Sequence, residues 1–243
     1  MTTSGTFAAT RYGMDETKKA KIGFLLLGAI LIAAAALLFF GWLAEEVLEA
    51  DTEQFDAFVR TAIHRLASPA LTSMMQVFSL LGSVGVLGAL SVLTVFLFFY
   101  FHRPRAAMLL ALTMAGAAGL DLVLKHAFHR ARPVSFFGTS PNSYSFPSGH
   151  ALGSLCFYFS LATILSARTP RRGARLCIWA VAVLFVGIIG FSRIYLGVHY
   201  PSDVVAGYCA ALVWVGAVGF LDKIPRSRPE RGPERSTSTS QSI

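Results

Sequence analysis

The hydrophobic positions of this chain come in long unbroken runs, not in the strict alternation of a half-buried strand or the one-sided stripe of a soluble helix. A bilayer core of about 30 Å takes roughly 20 helical residues to cross. Runs of that order lie near residues 22–43, 83–101, 106–124, 149–167, 176–196 and 204–221. They predict an all-α membrane protein with six transmembrane helices in a bundle. Between the first two runs, acidic residues alternate with Phe55, Phe58, Val59, Ile63, Leu66, Leu71, Met75 and Phe78 at a spacing near the helical period. This segment, 45–81, reads as one or two interfacial helices on the outer face, broken at Ser68-Pro69, that pack against the bundle or cover a site.

Three regions follow from this pattern. Residues 1–21 are polar and predict a cytoplasmic arm, 22–221 the membrane domain, and 222–243, rich in Arg, Pro, Ser and Thr, a basic disordered cytoplasmic tail. The first run is too long for the apolar part of a secretory signal and reads as a retained anchor. Gly82, Ser83, Gly85 and Gly88 in the second span, and Gly116 and Gly119 in the third, permit close helix contact. His102-Arg-Pro-Arg105 and Thr169-Pro-Arg-Arg-Gly173 read as tight basic turns. No internal repeat of the kind found in inverted-repeat transporters is visible.

Composition agrees with a bilayer as solvent: 54% of residues are hydrophobic and 14% charged. The net charge of +8 acquires meaning on the topology. With the N-terminus cytoplasmic, 15 of the 21 basic residues fall on the cytoplasmic side, leaving Arg60, Arg65, Lys125, Arg130, Arg132 and Arg193 outside. That asymmetry follows the positive-inside rule and reports topology and anionic inner-leaflet lipid, not nucleic acid. Cys156, Cys177 and Cys209 all lie in expected spans without metal-ligand spacing and read as small core hydrophobes, implying no disulfide and no metal site.

Three polar segments converge on the non-cytoplasmic rim: Lys125 to Pro133, Pro147 to His150, and Ser192 to Asp203. Charge in such apolar surroundings is retained where it meets water, pairs, or performs chemistry. Lys125, Arg132 and Arg193 together match a phosphate dianion. Ser148 is placed to cap the fourth span, leaving the amides of Gly149 and His150 to face an anion, and Gly149 permits close approach. Asp203, in the first turn of the sixth span with Ser202 as cap, is placed to take the Nδ1 proton of His199. That would expose Nε2 as a nucleophile, with His150 free as general acid. Asp121 neutralises Lys125 at i, i+4. His126, His129 and Arg130 read as solvated interface residues, and His64 and His102 as loop or surface histidines.

These residues resemble the three-part signature of the type 2 phosphatidic acid phosphatase (PAP2) superfamily: Lys-x6-Arg-Pro, Pro-Ser-Gly-His and Ser-Arg-x5-His-x3-Asp. The chain supplies Lys125 to Arg132-Pro133, Pro147-Ser148-Gly149-His150, and Ser192-Arg193 through His199 to Asp203, with no departure at a signature position. The six-span layout is similar to the bacterial membrane branch; soluble vanadate-dependent haloperoxidases share the signature but not the spans. The resemblance implies hydrolysis of a membrane lipid phosphate or pyrophosphate without metal or other cofactor, through a phosphohistidine on His199 oriented by Asp203. It further implies His150 as the acid, and Lys125, Arg132, Ser148, Gly149 and Arg193 as phosphate ligands. Undecaprenyl diphosphate, phosphatidylglycerol phosphate and phosphatidic acid are the substrates it suggests. The enzyme would sit in the bacterial inner membrane, both termini cytoplasmic and the site facing outward. A phosphotransferase with a lipid or sugar acceptor is the alternative within the fold, and a non-catalytic binder of anionic lipid the alternative outside it. Oligomeric state is left open. The loop Val134 to Phe146, with Phe136, Phe137, Asn142 and Tyr144, is where head-group discrimination is expected.

Overall fold

The computed structural model describes residues 4–138 and 142–223, and every regular element among them is a helix. In chain order these are α1 (Ser4–Leu48), α2 (Glu53–His64), α3 (Pro69–Leu81), α4 (Val84–Tyr100), α5 (Pro104–Phe128), α6 (Gly149–Ser166), α7 (Arg172–Tyr195) and α8 (Pro201–Lys223). Five segments are long and apolar enough to cross a membrane: Leu27–Leu48 within α1, and the whole of α5, α6, α7 and α8. The second expected span, 83–101, differs from its reading. α4 alone has 17 residues, and it passes the same test only together with α3, from which it is bent by 48°. The break falls where Ser83 caps α4 by accepting from the Val86 N–H at 3.3 Å. α3, expected as an interfacial helix, thus also extends α4 as one arm of a bent pair. The break at Ser68-Pro69 stands where the sequence puts it, with Ser68 accepting from the Leu71 N–H and proline in the first turn.

Helix α1 begins at Ser4, inside the segment expected to form an arm. No proline interrupts residues 4–21, and Met14-Asp-Glu-Thr-Lys-Lys-Ala20 is composed mostly of good helix formers, so nothing stops the helix ahead of the apolar run. Of the expected C-terminal tail, Asp222 and Lys223 still belong to α8, and 224–243 lie outside the described residues.

Helices α6 and α8 form the centre of the bundle: 44% and 39% of their apolar windows are buried, against 17–22% in the other single-helix spans. α6 packs on α5, α7 and α8, while α1 lies along α8 and α3 along α7. A Cβ on Gly207 of α8 would stand 2.6 Å from the Ser148 carbonyl oxygen and 3.0 Å from Ala151 Cβ, so only glycine lets these two central helices touch. Large apolar side chains such as Leu38, Val92, Phe96 and Leu176 point outward, as they do where lipid is the solvent. Cys156 and Cys209 are buried as expected; Cys177 faces outward on α7 and is not a core residue. An outward position on a membrane-spanning helix keeps its side chain among lipid, which suits a small hydrophobe as well as a core does.

Candidate active site

The site expected from the sequence lies at one end of the bundle, where α5 and α7 finish and α6 and α8 begin. His129, in the left-handed conformation at φ 48°, closes α5 with its N–H on the Lys125 carbonyl, and the chain then turns back over the bundle. This brings Arg130 and Arg132 across the top of α8. The chain re-enters at Phe146-Pro147, with Phe146 fully buried against Leu43, Ala44, Val47 and Ala206. The Ser148 N–H then bonds the Asp203 carbonyl at 2.9 Å, tying the start of α6 to the start of α8.

Asp203 lies in the first turn of α8, as expected, but the cap is not Ser202. The helix starts at Pro201, and Asp203 reaches back to accept from the Tyr200 N–H at 2.9 Å, the half of a capping box that an acidic residue at the third position makes. The same carboxylate, fully buried, faces His199 Nδ1 at 3.3 Å and also takes the Ser145 hydroxyl and an Arg130 N–H, the latter at 2.7 Å. On the far side of the imidazole, Arg132 approaches Nε2 at 3.0 Å. An acceptor on one flank and a donor on the other fit one arrangement: Nδ1 carries the proton toward Asp203, and Nε2 presents its lone pair toward Arg132. Burial pushes His199 down to about 4 although Asp203 pulls the other way, and Arg132 and Arg193 add to the lowering. The ring is thus neutral at physiological pH.

Of the other signature residues, Arg193 and His150 act on this imidazole through their charges. Arg193 is 6% exposed and donates to Ser79 of α3, while its Nε has no partner. Ser148 sits at the N-terminus of α6, fully buried, and its hydroxyl caps nothing and has no partner either. An unpaired buried donor is costly unless something answers it. Lys125 pairs with Asp121 at 2.8 Å, as the i, i+4 spacing expects. Gly149 serves that pair directly, since a Cβ there would stand 2.7 Å from Asp121 Oδ1. His150 is partly buried and feels Arg193, His199, Lys125 and Arg132 as charged neighbours. Among the described residues no group of three or more His, Cys, Asp or Glu side chains could hold a metal ion.

Two readings need correction. Arg130 is not a solvated interface residue: its side chain is 12% exposed and held by Asp203, Asp56, Ser202 and Thr52. Its neighbours His126 and His129 do face outward. His64 is not a loop residue either; it ends α2 and stacks on Phe136 at 4.0 Å between centroids. That stacking also divides the loop expected to read the head group. Phe136 and Phe137 are anchors, the latter stacked on Tyr195, while Asn142, Ser143 and Tyr144 line a cavity of about 490 Å³ with Arg132. Residues 139–141 of that loop lie outside the described ones.

A six-span bundle with histidine, carboxylate and a ring of cations at one helix rim defines a membrane-embedded phosphate-ester enzyme, and the comparisons agree. The PAP2 superfamily model matches residues 106–221. The chain is 30% identical to phosphatidylglycerophosphatase B of Bacillus subtilis over 193 residues, 79% of this chain and 95% of that one. An undecaprenyl-diphosphatase of Sulfolobus acidocaldarius is 30% identical over 105 residues, covering 41% of this chain and 47% of its own. Among solved structures, the transmembrane PAP2-type phosphatidylglycerolphosphate phosphatase of Bacillus subtilis superposes with TM-score 0.73 at 29% identity, covering 81% of this chain and 98% of that one. Aquifex aeolicus LpxE superposes at 0.53 with 26% identity, covering 69% and 95%. This chain belongs to the PAP2 superfamily. It is a bacterial membrane-spanning lipid phosphate phosphatase.

Proposed function

We propose that the enzyme removes the terminal phosphate of a lipid through a phosphohistidine on His199, at the outer face of the cytoplasmic membrane. The observation that carries this reading is the imidazole of His199, fixed by Asp203 on Nδ1 and approached by a guanidinium on Nε2. In the first step Nε2 attacks phosphorus, and the lipid oxygen leaves with a proton from His150. Arg132 shifts from Nε2 to the phosphoryl oxygens as the phosphate arrives, joined by Arg193, Lys125, the Ser148 hydroxyl and the N-terminal amides of α6. In the second step water, giving a proton to His150, attacks phosphorus; the N–P bond breaks with its electron pair returning to Nε2, and inorganic phosphate is freed. The charge developing on the imidazole is met by Asp203. No step calls for a metal.

An apolar cleft of about 810 Å³ supports a substrate with a long tail. It is lined by α4 and α5 residues such as Gly88, Val92, Phe96 and Ala118, and reaches Asp121 and Gly149 beside the site. Its outer wall is surface-exposed, with Val92 72% and Phe96 64% accessible, so a lipid could enter sideways from the bilayer. Similarity to phosphatidylglycerophosphatase B along most of both chains makes phosphatidylglycerol phosphate the first substrate to try, ahead of undecaprenyl diphosphate and phosphatidic acid. The test is phosphate release by detergent-purified protein in EDTA from these three lipids. We expect release that vanadate inhibits and that His199→Ala abolishes. Full turnover in His199→Ala would overturn the nucleophile, and loss of activity in EDTA restored by a divalent ion would overturn the metal-free route.

A further inference from the structure

Helix α2 lies outside every signature segment, yet it reaches the catalytic dyad. Thr52, Asp56 and Arg60 fall four residues apart and so share one face. Asp56 is fully buried on that face. One of its oxygens accepts the Ser202 N–H at 3.0 Å, and the other takes the Ser202 hydroxyl at 2.6 Å and Arg130 at 2.9 Å. Arg130 in turn bonds Asp203 at 2.7 Å and lies over the Tyr200 ring, 4.1 Å from its centroid. The result is a buried row of carboxylate, guanidinium and carboxylate, in which the second carboxylate holds His199. Arg60 clamps the same neighbourhood from above, donating to the carbonyls of Val134 and Gly197.

We propose that Asp56 and Arg130 are positioning residues for the reaction, a buried charge bridge by which helix α2 sets the orientation and the charge of the Asp203–His199 dyad. Neither touches the phosphate site, so both act through Asp203. The proposal rests on His199 as the nucleophile. Arg130 draws charge from Asp203 and so disfavours a protonated imidazole, while Asp56 draws charge from Arg130 and opposes it. The same imidazole is faced by Arg132 from the loop, Arg193 from α7, and His150 and, beyond it, Lys125 from α6 and α5. Arg60 acts on Asp203 from α2. All of these stay constant when only the bridge is changed.

The two ends of the bridge therefore predict opposite responses. The ratio of variant to wild-type kcat/KM is read against pH on one lipid phosphate, a ratio in which the substrate's own ionisation cancels. For Arg130→Gln the ratio should fall further as pH is lowered, because His199 takes up a proton more readily. For Asp56→Asn the ratio should rise toward low pH. Arg130→Lys keeps the charge but loses the fork that spans both carboxylates. We expect it to fold, to lower kcat by tenfold or more with the wild-type pH dependence, and to leave vanadate inhibition within about threefold of wild type. Flat ratios for both neutral variants, or a vanadate constant that moves in step with kcat in Arg130→Lys, would assign the bridge to structure alone. His199→Ala runs alongside: turnover there would sink the nucleophile itself, whereas a dead His199→Ala beside wild-type behaviour in the bridge variants would sink only the bridge.

Discussion

His199 and Ser148 each give a prediction that belongs to a single side chain. His199 is held neutral, at about 4 against an ordinary value of 6.5. Its folded value lies below its unfolded one, so between these two pH values the unfolded chain binds more protons, and stability rises with pH through that window. Above about 6.5 the group contributes nothing, and acidification from there to about 4 costs roughly 1.4 kcal/mol per pH unit for this residue. The melting temperature of wild type should therefore fall relative to that of His199→Ala as pH is lowered through this window; parallel curves would contradict it. Ser148 makes the opposite trade. Its buried hydroxyl has no partner, so Ser148→Ala should stabilise the protein by about 1 kcal/mol while weakening vanadate binding about tenfold. Calorimetry and inhibition on one preparation read both. A loss of stability would mean that the hydroxyl already has a partner. At this scale the sequence was most informative about residue types at fixed spacing, which is how His199, Asp203 and Asp121–Lys125 could be paired. It placed Arg130 in solvent and was silent on Asp56, because Arg130 meets Asp203 and Asp56 across 73 and 74 residues of chain.

Helix α2 shows why the second of these was hidden. Its apolar residues suggested a face turned to the bundle, but Phe55 and Phe58 are 61% and 73% exposed while Asp56 is buried. At a membrane interface the outer solvent of a helix can be lipid and its inner one a polar site, so the moment points the other way. Thr52, Asp56, Arg60 and His64 recur at four-residue spacing, a polar face that the apolar pattern of the segment conceals. The bent pair α3 and α4 misled differently: the apolar run marked α4 correctly, and only the geometry at Gly82-Ser83 shows that α3 extends the span. The contact between α6 and α8 can be tested directly. Gly207→Val would drive side-chain carbon into the Ser148 carbonyl and displace the Ser148 N–H from Asp203. We expect a destabilisation of about 2 kcal/mol or more and a larger loss of kcat than of vanadate binding. An unperturbed melt would show that the two helices can separate without cost.

The whole molecule joins a polar rim to an apolar cleft, and this division of labour separates binding from chemistry. In the proposed reaction the head-group phosphate meets the cations where α5 and α7 end and α6 and α8 begin, while the cleft between α4 and α5 has an outward-facing apolar wall. Binding energy from a tail held away from the reacting atoms is useful only if it helps bring the phosphate to His199. Filling the cleft should therefore affect substrates according to their tails. Ala118→Trp, which places an indole in the cleft, should raise KM at least tenfold for a long-chain lipid phosphate and leave kcat/KM for a short water-soluble phosphomonoester within about twofold. Equal losses on both substrates would mean that the indole disturbs the rim through Asp121 and Gly149. Equal retention on both would mean that the tail lies elsewhere, and the lateral route from the bilayer would have to be abandoned.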